Sequence, residues 1–253
     1  MLKTRVIPCL QIIDNSLVKT VKFKKYSYIG DPINTVRIFN ELEVDELCFL
    51  DIRATLQEKA VNFDLIQDIS DECFMPLSYG GGIKDFDTAK KILSIGFEKL
   101  VINTYSFEKP QFITQLADHF GKQSVIGSID VKRDLLGKYQ VCSHDGTIKT
   151  KLNPVEWATM LEDLGAGELL ITSMDRDGTW NGYDIELVKS ITDAVQIPVI
   201  ALGGACSTEN IGNVVNQGGA SAVALGSLVV YQGKDLGVLV NFPDKEELEK
   251  VLD

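Results

Sequence analysis

Two apolar segments of the chain each end in a polar side chain, and their sequences echo each other. The segment RVIPCLQ ends at Gln11, and SVIGSID ends at Asp130. A carboxylate such as Asp130 takes and gives protons once burial and neighbouring charges have tuned it. The amide of Gln11 cannot act as an acid or a base near neutral pH, although it donates and accepts hydrogen bonds. The two similar segments therefore predict acid–base chemistry in which Asp130 ionises and Gln11, at the matching position, does not.

Two glycine-rich segments, 79–107 and 201–229, repeat one pattern of strand, Gly-Gly, amphipathic helix, Gly and second strand. Their glycines match at a constant spacing of 122 residues: Gly81 with Gly203, Gly82 with Gly204, and Gly96 with Gly218. A repeat of about half the chain predicts two half-domains that carry the same binding device.

A small polar turn follows the second strand of each repeat, and this pattern suits phosphate. Glycine lets backbone N–H groups approach an anion closely, and helix starts point N–H groups toward it. The first site would use Gly82, Asn103 and Thr104, and its copy would use Gly178, Gly204, Gly226 and Ser227. The alternative is that these glycines only form tight turns, but turns alone need no matching polar residues. We expect a substrate with two phosphate ends, contacted between them by Thr172 and Asp177.

Strand-length apolar runs alternate along the chain with amphipathic helical stretches. Strands are predicted at residues 5–11, 46–52, 76–80, 99–103, 124–130, 168–173, 198–202 and 222–226. Helices are predicted at residues 32–43, 63–73, 85–95, 110–120, 154–164, 185–191 and 208–217. Eight such units predict an α/β fold, a (β/α)8 TIM barrel built from two duplicated half-barrels. An open doubly wound sheet is the alternative.

No Gly/Ser-rich or Pro-rich linker interrupts the chain, so one domain is expected over residues 1–253, with half-barrels at about 1–121 and 122–253. A β-hairpin is predicted over residues 137–150, and a basic loop over residues 19–30. Sites in such barrels lie on the loops that follow the strands, which is where the polar residues named above occur.

Four predicted strands begin with a charged residue. Arg5 and Lys99 are positive, whereas Glu46 and Glu168 are negative. Side chains alternate between the two faces of a strand, so Arg5 shares a face with Gln11. If that face points inward, the four charges ring the amino-terminal end of the barrel and control a central passage. Four unrelated surface charges are the alternative, and the residues alone leave both interpretations open.

Composition excludes several classes of partner and cofactor. The formal net charge of -11 argues against nucleic acid and anionic membranes, because both attract basic proteins. No apolar run is long enough to span a membrane, and the N-terminal residues are interpreted as a strand rather than a signal peptide. The five cysteines form no C-x-x-C pair, which fits free thiols in the cytoplasm. His119 and His144 stand alone, so neither a metal nor another cofactor is predicted.

Short motifs along nearly the whole chain resemble the cyclase subunit of imidazole glycerol phosphate synthase. The motifs are RVIPCL (5–10), GDP (30–32), FLDI (49–52), GGGI (80–83), INT (102–104), SIDVKR (128–133), DRDGT (175–179), GYD (182–184) and GGA (203–205). A sister isomerase of the histidine pathway shares the barrel and phosphate loops. The four strand-start charges and the N-terminal motif favour the cyclase.

The resemblance implies a complex with a glutaminase, whose ammonia enters the barrel past a charged gate at Arg5, Glu46, Lys99 and Glu168. Ammonia then attacks a bis-phosphorylated ribonucleotide at the opposite end. The products in that family are imidazole glycerol phosphate and an aminoimidazole carboxamide ribonucleotide. Lys19 matches a mobile-loop position that closes over substrate, Asp51 matches an active-site carboxylate, and Asp130 matches one of two catalytic carboxylates.

The other catalytic carboxylate of the family falls on Gln11. Leu202 replaces a small polar residue before Gly-Gly, and the C-terminal tail is expected to lack the family's last helix. These departures resemble a paralogous branch that supports acetamidino modification of bacterial surface sugars, with an amidotransferase as a third partner. Two alternatives stay open: a true histidine-pathway cyclase that tolerates Gln11, and a non-catalytic barrel that activates the glutaminase and passes ammonia on.

Overall fold

The computed structural model describes residues 4–252, and eight parallel strands form its core. They are β1 (Arg5–Ile13), β4 (Leu47–Asp51), β5 (Leu77–Gly80), β6 (Lys99–Ile102), β7 (Val125–Arg133), β10 (Glu168–Ser173), β11 (Val199–Leu202) and β12 (Ala222–Leu225). Strand β7 pairs with both β6 and β10, and β12 pairs with β1, so the sheet closes on itself. The barrel prediction is confirmed, and the open sheet is excluded.

Helices surround the barrel. They are α1 (Pro32–Glu41), α2 (Phe63–Glu72), α3 (Phe86–Ile95), α4 (Thr104–Glu108), α5 (Gln111–Phe120), α6 (Pro154–Asp163), α7 (Ile185–Thr192), α8 (Thr208–Asn216), α9 (Ser227–Val230) and α10 (Lys245–Leu252). Side-chain caps fix several starts, because Asp31, Asn153 and Ser207 each accept a hydrogen bond from a backbone N–H in the first turn. Pro32 and Pro154 begin their helices, as their fixed φ favours.

Two hairpins rise from the two longest barrel strands. Strand β1 continues into β2 (Ser16–Thr20) and β3 (Tyr26–Gly30), and β7 continues into β8 (Tyr139–Ser143) and β9 (Ile148–Lys149). The hairpin predicted over residues 137–150 is therefore confirmed. The loop predicted over residues 19–30 is wrong, since its second half forms β3. The first three side chains of β3 are exposed, so the strand lacks the apolar alternation that marks a half-buried strand.

Apolar side chains fill two layers. The larger layer lies between the sheet and the helices, around residues such as Phe39, Phe49 and Phe112. A smaller cluster fills the barrel interior and contains Ile7, Cys9, Cys48, Val101, Ile126, Leu170, Ile200, Ala222 and Ala224. The inner cluster lies between the amino-terminal and carboxyl-terminal ends of the barrel strands.

The C-terminal tail departs from its prediction. It was expected to lack a last helix, but α10 packs on α8, and Leu248 lies in the main core. Among residues 4–252, no helix is long and apolar enough to cross a membrane. The division into half-barrels stays a prediction, and the ends of the predicted domain, residues 1–3 and 253, lie outside the described residues.

Candidate active site

A cavity of about 540 Å³ opens at the carboxyl ends of the barrel strands. Ten of the residues singled out in the sequence line it: Gln11, Lys19, Asp51, Gly82, Asn103, Thr104, Asp130, Thr172, Asp177 and Gly226. They come from distant parts of the chain, and they meet because the ends of parallel strands share one rim of the barrel. The cavity is large enough for a small-molecule ligand.

The second predicted phosphate site is not an open pocket. Gly178, Gly204 and Ser227 line a neighbouring crevice of only about 10 Å³. That volume holds roughly one water molecule and is too small for a phosphate group. The two predicted phosphate sites therefore differ in this structure, although their sequences repeat.

Lys19 fills the space beside that crevice. Its ammonium nitrogen lies 2.6 Å from Asp177 Oδ1 and donates to the Thr20 carbonyl oxygen at 2.8 Å. A Cβ atom on Gly226 would lie 2.8 Å from Lys19 Cε, so a larger residue at this position would push the end of the lysine side chain aside. The Thr20 hydroxyl donates to Asp177 Oδ2 at 2.8 Å, so both Asp177 oxygens are bound within the protein. A substrate contact by Asp177 stays a prediction.

Asp130 lies near the end of β7 with 9% of its surface exposed. The Asn103 side-chain amide donates to Asp130 Oδ2 at 2.9 Å. Burial raises the pKa of Asp130 to about 7, and Asp145 and Asp177 add to the shift, whereas Thr172 and Asn103 oppose it. A carboxyl group with this pKa can give or accept a proton near neutral pH. Asn103 Oδ1 is buried and has no hydrogen-bond donor within the described residues.

Gln11 lies opposite Val18 in the antiparallel pairing of β1 with β2. Its Oε1 accepts a hydrogen bond from the Thr20 N–H at 2.8 Å. The amide therefore holds β2 in place beside the cavity. This contact joins Gln11 to the group of Thr20, Lys19 and Asp177 described above.

Asp51 ends β4 at the rim of the same cavity. Its Oδ1 accepts hydrogen bonds from the N–H groups of Arg53 and Ala54 at 3.2 and 3.0 Å. Burial raises the pKa of Asp51, although these N–H donors oppose the shift. The carboxylate shapes the turn after β4 and remains at the cavity wall.

The glycine repeat has a backbone explanation in both halves. A Cβ atom on Gly81 would lie 2.3 Å from the Asp51 carbonyl oxygen, and one on Gly203 would lie 2.8 Å from the Ser173 carbonyl oxygen. Both glycines have positive φ, of 115° and 107°. Tight packing of neighbouring strand ends thus requires these glycines. Anion binding by Gly82 and its partners stays a prediction.

Two further residues line the cavity although no sequence motif marks them as part of a site: His144 and Asp145. They lie in the turn between β8 and β9, and the His144 N–H donates to Thr104 Oγ1 at 3.2 Å. Burial raises the pKa of Asp145 to about 6, with Arg53 opposing the shift and Asp177 adding to it. The residues His-Asp-Gly-Thr are ordinary turn formers, so only the bend of the hairpin over the barrel reveals them.

The four strand-start charges lie together at the opposite end of the barrel. Arg5 contacts Glu46 at 2.6 Å and Glu168 at 3.0 Å. Lys99 contacts Glu46 at 3.0 Å and Glu168 at 3.1 Å. Positive and negative groups alternate around a closed ring, which we call the amino-end ring. Its role as a gate stays a prediction.

The fold and the cavity define the class of protein as a (β/α)8 barrel with its candidate site above the carboxyl ends of the strands. The family described as histidine biosynthesis protein matches residues 5–235. The chain belongs to this family, within the group of HisF-type cyclase subunits of imidazole glycerol phosphate synthase and their paralogues.

Relatives match over nearly their full length. A protein of Pseudomonas aeruginosa, provisionally named imidazole glycerol phosphate synthase subunit hisF2, is 49% identical over 249 residues, 98% of this chain and 99% of that protein. A provisionally named HisF subunit of Leptospira borgpetersenii is 47% identical over 252 residues, with 98% and 99% covered. The HisF subunit of Alkaliphilus metalliredigens is 42% identical over 231 residues, with 91% and 92% covered.

Proposed function

We propose that this chain is the synthase subunit of a glutamine-dependent amidotransferase complex, which receives ammonia through its barrel and delivers it to a phosphorylated small molecule. The observation that carries the proposal is the amino-end ring, which lies at the other end of the barrel from the 540 Å³ cavity. The ring is partly buried, and paired charges that lose water contribute little net stability, so a role in transport accounts for it well.

The barrel interior between ring and cavity favours a neutral passenger. Apolar side chains such as Ile7, Val101 and Leu170 line it. A cation would lose its hydration there without a partner, whereas ammonia carries no charge. The interior therefore suits ammonia that has been released at the ring and not ammonium from bulk water.

A glutaminase is the partner that the proposal requires at the amino-terminal face. A groove of about 400 Å³ lies there, lined by Phe97, Phe120, Lys99 and Glu168 among others. Apolar side chains beside two members of the ring would let a docked subunit act directly on the ring. The family relationship supports this partner, because the relatives are named as synthase subunits.

The acceptor of the ammonia binds in the cavity with a phosphate group near Gly82 and Thr104. Asp130 provides acid–base chemistry beside it, and the closed crevice near Gly204 leaves the second phosphate without an open place until Lys19 moves. Gln11 cannot replace a catalytic carboxylate. We therefore favour the branch that serves acetamidino modification of surface sugars over histidine-pathway cyclisation, with an amidotransferase as third partner.

Reconstitution with a HisH-type glutaminase tests the ammonia path. Glutamine-driven and ammonium-chloride-driven product formation are compared in the wild-type complex and in Lys99→Met, with Lys90→Met, at an exposed position on α3, as the control. We expect Lys99→Met to lower the glutamine-driven rate at least about tenfold while the ammonium-driven rate changes little. Equal loss of both rates would contradict passage through the ring.

Two acceptors test the assignment of the branch. The bis-phosphorylated ribonucleotide of the cyclase reaction and a nucleotide-linked amino sugar are each incubated with the complex, glutamine and, in a further series, the sugar amidotransferase. We expect ribonucleotide turnover about 10²–10⁴-fold below that of an ordinary cyclase, because no ionisable side chain stands at position 11, where the cyclisation needs its acid–base group. Cyclisation within about tenfold of an ordinary cyclase would identify the chain as a histidine-pathway enzyme.

A further inference from the structure

The cavity contains a carboxylate that the sequence motifs do not include. Asp145 lines it from the turn between β8 and β9, three residues beyond Cys142, which pairs with Asp130. Within the described residues, its carboxylate accepts no hydrogen bond and forms no ion pair, and it is half-buried. An unpaired, partly desolvated carboxylate in a ligand-sized cavity is a candidate for chemistry.

We propose that Asp145 is the second acid–base residue of this site and works with Asp130 on the acceptor that ammonia attacks. The inference rests on the proposed function, since it assigns a residue to the same reaction. It places the acid–base pair on β7 and on the hairpin that extends from it, instead of on β1 and β7.

Three other polar side chains of the cavity are already engaged within the protein. Gln11 is bound to the Thr20 N–H, and both oxygens of Asp177 are bound to Lys19 and Thr20. Asp51 accepts two N–H groups of its own turn. Among the buried and half-buried carboxylates that line the cavity in residues 4–252, Asp145 is the one besides Asp130 that remains available to a ligand.

The hairpin turn holds Asp145 in place. His144 and Asp145 have positive φ values of 53° and 56°, as a tight β-turn requires, and both residue types tolerate that conformation. The bond from His144 N–H to Thr104 Oγ1 ties the turn to the start of α4, beside the predicted phosphate position. The turn therefore positions Asp145 relative to the bound end of the substrate.

The surroundings separate the two carboxyl groups in acidity. Burial raises both pKa values. The pKa of Asp145 is also raised by Asp177 and lowered by Arg53. The pKa of Asp130 is also raised by Asp145 and Asp177 and lowered by Thr172 and Asn103. His144 and Glu108 also line the cavity near the turn. The pKa is about 7 for Asp130 and about 6 for Asp145, so Asp130 holds the proton more tightly. Two carboxyl groups separated in this way divide the roles of acid and base.

The step balances without any additional reactant. The nitrogen lone pair of ammonia forms a bond to an electrophilic carbon of the acceptor, and the π pair of its C=O or C=N bond moves to the heteroatom. Ionised Asp145 accepts a proton from the added nitrogen, while Asp130 gives its proton to the heteroatom. Proton exchange with water then restores both carboxyl groups.

Titration of the carboxyl groups tests the pairing without any acceptor. The ¹³C chemical shift of Asp130 is followed against pH in the wild-type chain, in Asp145→Asn and in Asp163→Asn, which removes an equal charge from an exposed site on α6. We expect the pKa of Asp130 to fall in Asp145→Asn and to stay constant in Asp163→Asn. An unchanged pKa in both variants would overturn the pairing.

Turnover tests the chemical role. With ammonium chloride and the bis-phosphorylated ribonucleotide as the probe, Asp145→Asn should lower kcat about 10²-fold or more, with KM changed little. The acidic limb of the pH profile should move, and Asp145→Glu should recover part of the rate. A kcat within twofold of the wild-type value in Asp145→Asn would overturn the proposal.

The two proposals fail in different ways. If Asp130→Asn abolishes turnover and Asp145→Asn does not, the acid–base role of Asp145 is wrong and the proposed function stands. If the wild-type chain turns over neither the ribonucleotide nor an amino sugar with ammonia, the proposed function fails. The carboxyl titration then decides the Asp130–Asp145 pairing by itself.

Discussion

The side-chain oxygen of Gln11 accepts a hydrogen bond from the Thr20 N–H at 2.8 Å, so a residue at a predicted catalytic position serves as a clamp between two strands. The clamp lies beside Lys19 and Asp177, which form a buried ion pair. Because Gln11 both lines the cavity and binds β2, a substitution at position 11 changes the cavity and the packing of the β2–β3 hairpin together.

Gln11→Asp should restore cyclisation if the remaining site is intact. The substitution introduces a carboxylate at the twin position of Asp130, and ribonucleotide turnover should rise at least about tenfold, since a positioned acid or base contributes about 10²–10⁴ in rate. Gln11→Asn provides the control, because it has the same length without an ionisable group. Equal rates in the two variants would show that the site has changed beyond position 11.

Lys19→Met should destabilise the fold strongly. The side chains of Lys19 and Asp177 are each only 5% exposed. Removing the ammonium group therefore leaves the Asp177 carboxylate buried without a positive partner. The expected cost is about 3–5 kcal/mol in the free energy of unfolding, measured by urea denaturation. Lys59→Met breaks an exposed pair with Asp14 and should cost less than about 1 kcal/mol. Similar losses in both variants would contradict the burial of Lys19.

Asp130→Asn should become more stable than the wild-type chain as the pH rises. The pKa of Asp130 is about 7 in the folded protein and near 3.8 when it is exposed. Between these values the folded state holds a proton that the unfolded chain has lost, so rising pH lowers the stability of the wild type by up to about 1.4 kcal/mol per unit. The advantage of the variant should grow from pH 5 to pH 7 and then level off.

Urea denaturation at pH 5, 6, 7 and 8 measures that advantage. Asp163→Asn, at an exposed position on α6, should show no such trend. A constant difference between Asp130→Asn and the wild-type chain across this range would mean that Asp130 titrates normally.

Gly212→Ala should destabilise the chain although alanine favours helices. A Cβ atom at position 212 in α8 would lie 2.8 Å from both the Cβ atom and the carbonyl oxygen of Val251. Alanine gains about 1 kcal/mol in helix propensity, but overpacking typically costs about 1–3 kcal/mol. Gly237→Ala, where nothing lies within 4 Å, is the matched control. A more stable Gly212→Ala chain would show that α10 does not dock on α8.

The barrel was predictable because each of its strands is an apolar run bounded by turn residues. The residues alone left open whether the four strand-start charges form a ring or lie apart, and the structure brings them together. The closed crevice at the second predicted phosphate site could not be predicted from the sequence. The entry of Lys19 beside Gly226 is a contact between distant segments, and no local pattern encodes it.

The cavity residues at strand ends were predicted from the sequence, whereas those in a hairpin turn were not. Asp130, Thr172 and Asn103 end barrel strands, where the fold rule directs attention. Asp145 lies in a hairpin turn, and its place in the cavity depends on how β7 and β8 bend over the barrel mouth. The α10 helix was missed because its apolar residues are few and its partner surface lies on α8.

Each charge of the amino-end ring touches two opposite charges, and if the ring opens as the proposed function requires, this redundancy lowers the free energy of opening. If Lys99 releases Glu168, Lys99 still holds Glu46 and Glu168 still holds Arg5. A single arm can therefore swing aside without stranding any ion in a low-dielectric surrounding. Four ion pairs close the ring, and when one of them breaks the other three still connect all four side chains.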